Sequence, residues 1–244
     1  MIVFLIPVCH HESVEDYEQI WGLLNNTLMS LAGQDCPKWH AMVCCSKMLP
    51  IAPELPRRQI TFLTSTRRAG FDNHMKDKAA RRLACVERVS KVGLRPAWYF
   101  MADADDYLAT NVVSTILTTT ERRHSIVTLD TGIVIDSQKQ SYVTTDDFND
   151  LCGTSVAIHA SLVHSTIQSE PHIQTLLSEW RFPKLLAGKF CQYHNRHSMA
   201  GFPRAAYVLH DQNYSRHMWD YSELMAASKP LTNEIREHFT LPVG

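Results

Sequence analysis

The sequence predicts an α/β protein built on a mostly parallel central sheet, and three observations carry that expectation. The chain opens on a β-branched, wholly apolar run, Ile2 to Val8, which reads as a strand covered on both faces. Ile20, Leu23, Leu24, Leu28 and Leu31 then recur at helical spacing. A second apolar run, Trp98 to Ala102, stops abruptly at Asp103, Asp105 and Asp106. Strand-like and helix-like segments alternate between these landmarks, as in a doubly wound sheet.

Each element has its own justification. Pro7 and then Cys9-His10-His11-Glu12 end the first strand at a loop. Ser13, with Asp16 three residues on, is the expected cap of the first helix, and Gly33 its end. Trp39 to Cys45 is a second strand, closed by Ser46. Three prolines make Met48 to Arg58 irregular, and Ile60 to Leu63 is a third strand. After a turn at Gly70 to Asn73, a helix is expected from His74 to Val92, with Ala79, Leu83, Val86 and Val89 or Ser90 buried. Lys78 and Arg82, four apart, share a face near its start, where a helix offers positive charge and free N–H groups to an anion.

Further along, Asn111 to Thr120 and Pro171 to Leu186 read as helices. Ser125 to Asp130, Gly132 to Asp136, Val156 to His159 and Ala205 to Leu209 read as strands. Asp146-Asp147 falls in a loop. The tail from Met218 to His238 is helical in pattern.

Length and composition bound the function. At 244 residues, 45% apolar and 20% charged, the chain can bury a full core as a single domain. A net charge of −1 excludes a protein built on basic excess for nucleic acid, although Arg67–Arg68 and Lys76 to Arg82 form local basic clusters. Seven scattered cysteines without a C-x-x-C pair point to reduced thiols and a cytoplasmic setting. The thirteen histidines lack zinc-finger spacing. No apolar run approaches the roughly 18 residues of a membrane span, and Met1 to Val8 lacks the length and basic lead of a secretory signal.

The chemistry is expected at Trp98 to Leu108. Carboxylates at the carboxyl end of a buried strand stand where open α/β sheets place ligands. Asp103 and Asp105, two apart, can converge on one hard cation, Mg²⁺ or Mn²⁺, that bridges substrate phosphates. A polar turn with Asp106 capping the next helix is the plainer account.

The F-L-I-P-V strand, the L-x-x-T-L-x-S-L-x-x-Q helix end (Leu24 to Gln34) and F-M-A-D-A-D-D-Y-L together resemble glycosyltransferases of the GT-A fold, most similar to the large family 2 group. The likeness is clear over about residues 1 to 120. It implies a nucleotide-binding half over about residues 1–110 and an acceptor-binding half with a C-terminal lid or helix over about 111–244. It further implies a nucleotide-diphosphate sugar donor, a glycan or lipid-linked acceptor, and a divalent cation on Asp103 and Asp105. Pro7 to Glu12, with Pro7, Cys9 and Glu12 among them, would line the nucleoside pocket with Ser46, and Lys78, Arg82 and Asp103 would meet the donor. Gly153, Thr154 and Ser155 match a turn near the acceptor. His210, after the last strand, matches a late histidine that faces the metal, with Asn213, Ser215 and Arg216 in the loop beyond.

Two departures matter. Cys45 and Ser46 stand where the family carries a base-reading Asp. The late Glu-Asp pair that supplies the catalytic base of inverting members is missing, which leaves Asp150, Glu170, Glu179, His194 and Asp211 as substitutes. His194 and Asp211 are the preferred candidates, an imidazole suiting base chemistry near neutral pH. Stereochemistry stays unassigned. Two rival functions are a GT-A-like module that binds nucleotide sugar without turnover, and a haloacid-dehalogenase-like phosphohydrolase with Asp103 as nucleophile.

Overall fold

The computed structural model describes residues 1–65, 74–120, 124–167, 195–199, 201–211 and 220–241. Four parallel strands make its centre: β1 (Ile2–Pro7), β2 (Trp39–Cys45), β3 (Ile60–Thr64) and β4 (Trp98–Met101). β1 pairs with both β2 and β4, and β3 extends the sheet beyond β2.

The unbroken apolarity of β1 follows from helices on both faces. Ile2, Phe4 and Ile6 join one core cluster with Ile20, Trp21, Leu24, Leu28 and Leu31 of α1 (Tyr17–Ala32). Val3 and Leu5 join another with Cys85, Val86 and Val89 of α2 (His74–Lys91). Successive side chains of a strand point to opposite faces, so a strand between two helices must be apolar at every position.

Past β4 the chain leaves the sheet for β5 (Tyr107–Leu108) and α3 (Val112–Thr119), then returns as β6 (His124–Leu129). β9 (Val156–His159) lies antiparallel between β4 and β6, and β10 (Asn195–Met199) runs parallel to β6. The order is β10-β6-β9-β4-β1-β2-β3. A second sheet has the order β12-β8-β7-β11-β5, from β7 (Gly132–Asp136), β8 (Ser141–Thr145), β11 (Ala205–Leu209) and β12 (Lys229–Pro230). The short helices α4 (Phe148–Leu151), α5 (Ala160–Ile167), α6 (Ser222–Met225) and α7 (Asn233–His238) complete the described chain.

Several expectations are corrected. Asp16, not Ser13, caps α1, its carboxylate accepting from the Gln19 N–H at 2.9 Å, while Ser13 closes a short 3₁₀ turn. Strand β8 was not foreseen, because its five residues are half exposed and carry little apolar signal. The C-terminal stretch is not one helix: Lys229–Pro230 pairs antiparallel with β8 and separates α6 from α7. The turn at Gly70 to Asn73 and the helix at Pro171 to Leu186 lie outside the described residues.

Candidate active site

The carboxyl ends of β4 and β11 meet at one place, and three aspartates there have three separate environments. Asp106 is fully buried. Its Oδ2 accepts from the Thr154 hydroxyl at 2.5 Å and the Cys152 thiol at 3.1 Å, and its Oδ1 from the Val208 N–H at 3.3 Å. Thr154 Oγ1 in turn accepts from the Asp103 N–H at 2.8 Å. Asp106 thus ties the end of β4 to the 152–154 turn and to β11, and it does not cap a helix. Burial, followed by the charges of Asp105 and Asp103, pushes its carboxyl well above the ordinary carboxylate range.

Asp103 faces α2. Lys78 Nζ lies 2.5 Å from its Oδ2, and Arg82 Nη2 lies 2.9 Å from its Oδ1. The basic face of α2 is therefore no solvated stripe: Arg81 and Arg82 are buried, and Arg81 also pairs with Asp77 at 2.8 Å. Periodicity alone missed Arg81, though the Asp77–Arg81 spacing of four was a legible signal. Burial lowers the pKa of Arg82, and Asp103 opposes that shift.

Gly153 is pressed against the ion pair. A Cβ there would stand 2.7 Å from Asp103 Oδ2 and 3.4 Å from Lys78 Nζ. Thr154 and Ser155, expected to face an acceptor, are fully buried, and Ser155 donates to the Cys152 carbonyl at 2.7 Å. Their hydroxyls hold the turn.

Asp105 points the other way. Its side chain is 26% exposed, and its Oδ2 lies 2.9 Å from His210 Nε2. An ionised carboxylate only accepts, so Nε2 carries the proton. Nδ1 of His210 is buried and has no hydrogen-bond partner among the described residues. Asp105 Oδ2 and His210 Nε2 share the Nε2 proton across 2.9 Å, so a cation such as Mn²⁺, which accepts oxygen and imidazole ligands, would take this pair only by displacing it. Among the described residues no three His, Cys, Asp or Glu gather as a cage. A cation that takes its remaining ligands from substrate phosphates and water needs no such cage.

The loop after β1 completes this end of the sheet. Cys9 is half-buried there, its thiol pushed up to about 11 by burial and then by the charge of Asp105. Pro7 ends β1 in register with Cys44, and Glu12 is exposed in the 3₁₀ turn. Ser46 Oγ accepts from the His11 N–H at 2.8 Å and lies 2.9 Å from His11 Nδ1. The Ser46 hydroxyl thus holds the ring and the backbone N–H of His11 together. His11 also stacks on His10 with ring centroids 4.6 Å apart and meets the edge of Tyr17 at 5.9 Å. His11 falls in the Pro7 to Glu12 stretch expected to line the nucleoside pocket, but its pairing with Ser46, 35 residues away, is not legible in the sequence.

Asp211 is exposed next to His210 and accepts from Gln138 Nε2 at 2.7 Å. Asp150 lies in α4. His194, Glu170, Glu179, Asn213, Ser215 and Arg216 lie outside the described residues. Among the described residues no helix is long and apolar enough to cross a membrane.

Two α/β-layered sheets, the larger mostly parallel, with carboxylates at the end of its fourth strand, define a fold of the GT-A type. No protein-family model and no curated protein matches the chain. Among solved structures it is similar to S. aureus TarS 1-349, at a TM-score of 0.52 and 10% identity, over 85% of this chain and 60% of that one. A second S. aureus TarS structure matches at a TM-score of 0.45 and 12% identity, over 85% of this chain and 36% of that one. The chain therefore spans 60% and 36% of the lengths of those two chains. Identity this low establishes the fold and nothing finer.

Proposed function

We propose that this chain is a metal-dependent glycosyltransferase that moves a sugar from a nucleotide-diphosphate sugar to a hydroxyl acceptor, either a glycan or a lipid-linked or soluble molecule. The observation that carries the proposal is the Asp105–His210 pair at a strand end, two residues along the chain from the Asp103 that Lys78 and Arg82 hold. The donor diphosphate lies between them in this reading. Asp105 and His210 hold Mn²⁺ or Mg²⁺, and Lys78 and Arg82 supply fixed positive charge to the phosphates. When bound, the cation supplies charge neutralisation to the departing diphosphate.

The protein's own part is positioning. Arg82, buried and aimed by Asp103, costs no reorganisation when negative charge develops. In this reading His11 and the β1 loop face the nucleoside, with Ser46 setting the ring. Asp211, beside His210, is the described candidate for the base that takes the acceptor proton, and His194 remains the other. The 1–110 half serves the donor and the remainder the acceptor.

The test is a thermal-shift panel of nucleotide sugars with and without Mn²⁺, followed by mass measurement of any glycosylated product. A saturating donor should raise the Tm by about 5 °C, and only with metal present. A panel without any metal-dependent shift overturns the proposal. Binding without product assigns the chain as a nucleotide-sugar-binding module instead.

A further inference from the structure

We infer that Asp77 selects the base of the donor nucleotide: its Oδ1 accepts a hydrogen bond from a ring N–H, so the chain takes a uracil, thymine or guanine nucleotide and refuses cytosine and adenine. The inference rests on the function proposed above and narrows its substrate.

Asp77 lies in the first turn of α2, one residue before the Lys78 that meets Asp103. It is 8% exposed, and its Oδ2 accepts from Arg81 Nε at 2.8 Å. Its Oδ1 is buried and has no hydrogen-bond partner among the described residues. On a solvated helix face water would satisfy that oxygen. A buried carboxylate oxygen without a donor costs the fold free energy, and it calls for a ligand that brings one. The side chain as a whole keeps an 11% opening to solvent, so it is not sealed in the core.

The Asp77–Arg81 pair stands on the ligand side of the sheet. Arg81 also hydrogen-bonds the thiol of Cys44, which is in register with Pro7 near the ends of β2 and β1. The Cys9 thiol, in the loop after β1, feels the charges of Asp105, Arg81 and Asp77 together. Asp77 and Arg81 therefore lie by the carboxyl ends of β1 and β2, where open α/β sheets hold their ligands. One stretch of α2 serves two places: Lys78 and Arg82 reach Asp103 after β4, and Asp77 and Arg81 attend β1 and β2.

The chemistry of that oxygen sets the base. A carboxylate paired with a guanidinium only accepts, so the base must present an N–H to it. The ring N–H of uracil, thymine or guanine lies beside a carbonyl, which polarises it and can itself accept from a guanidinium. Cytosine and adenine carry a bare ring nitrogen there, and its lone pair would face the carboxylate. Arg81 occupies Oδ2, so a base N–H can join at Oδ1 as a charge-assisted bond without displacing it. A buried acceptor left unanswered makes rejection of the wrong base strong.

The test is calorimetry with Mn²⁺ present, on wild type and Asp77→Asn, with UDP, dTDP, GDP, CDP and ADP. Wild type should bind at least one of UDP, dTDP and GDP about 100-fold tighter than CDP or ADP. Asp77→Asn should weaken that preferred nucleotide about 30-fold, the scale of a hydrogen bond to a charged group, and CDP and ADP by less than about threefold. Methylating the ring N–H of the preferred base should weaken wild type by a similar factor and Asp77→Asn far less. Affinity ratios within one variant do not depend on how much of it folds, so a destabilised Asp77→Asn still gives the answer.

A wild type that prefers CDP or ADP overturns the inference. An equal loss across all five nucleotides in Asp77→Asn also overturns it, since Asp77 then only supports Arg81. So does a cycle in which the ribose 2′-hydroxyl, and not the ring N–H, carries the coupling to Asp77. Wild type that binds none of the five with Mn²⁺ removes the proposed function itself, a failure distinct from a wrong base preference.

Discussion

Asp105 and Asp106 are joined by one peptide bond and lie in opposite worlds. Asp105 is a quarter exposed, touches one imidazole and faces the open end of the sheet. Asp106 is sealed behind it, accepting from Thr154, Cys152 and Val208. The front carboxylate is available for chemistry because the rear one does the structural work of tying β4, the 152–154 turn and β11 together. A site of this kind separates the group that must exchange ligands from the group that must never move.

The sharpest break in that comparison is Asp105→Ala. Metal-dependent nucleotide affinity should fall about 100-fold, while the urea midpoint stays at the wild-type value. Calorimetry with Mn²⁺ and the responsive nucleotide checks both the size and the metal dependence. A variant that still shows metal-dependent binding would place the cation elsewhere.

Asp106→Ala should do the reverse, lowering stability by about 3 kcal/mol because several buried donors lose their acceptor. Equilibrium urea unfolding measures it. Asp106→Asn probes the same position through pH. The folded state holds the Asp106 proton more tightly than the unfolded chain does, since burial raises its pKa. Wild-type stability is thereby lowered as pH rises from the ordinary carboxylate range through the folded value, and the Asn variant should lack that decline. Parallel pH–stability curves for the two proteins would show that Asp106 does not titrate in this way.

Gly153→Ala tests the seam between front and rear. Its new methyl group meets Asp103 Oδ2 at 2.7 Å, so the carboxylate and Lys78 must shift. Stability should drop by about 1–2 kcal/mol, with a roughly tenfold loss in nucleotide affinity. Equal nucleotide titrations for variant and parent would mean that the turn and ion pair give way freely.

The smallest effect is expected at Ser46→Ala, beside His11 in the loop after β1. Losing the hydrogen bonds to His11 should cost about 1 kcal/mol of nucleotide affinity and nothing in Mn²⁺ affinity. Comparing KM with kcat separates this from a catalytic defect, because only KM should rise.

Much of the frame was legible before any coordinates. Trp39 to Cys45 is the strand its apolar run predicts, Ala205 to Leu209 likewise, and Gly33 ends α1 as expected. These features follow from local periodicity and from Gly and Pro, which act within a few residues of themselves. β8 and the broken C-terminal helix escaped notice because both depend on pairing between distant segments, Lys229 with Tyr142 for example.

The sequence by itself determined that three carboxylates follow a buried strand, that Lys78 and Arg82 share one helical face, and that His210 follows another strand. Only the tertiary structure decided their roles. Asp105 finds His210 at a separation of 105 residues, Asp106 finds Thr154 at 48 and Val208 at 102, and Asp103 finds Arg82 at 21. The physical reason is that a carboxylate's function depends on which donors reach it and how much water it keeps. Both are properties of packing, and no local pattern of residues encodes them.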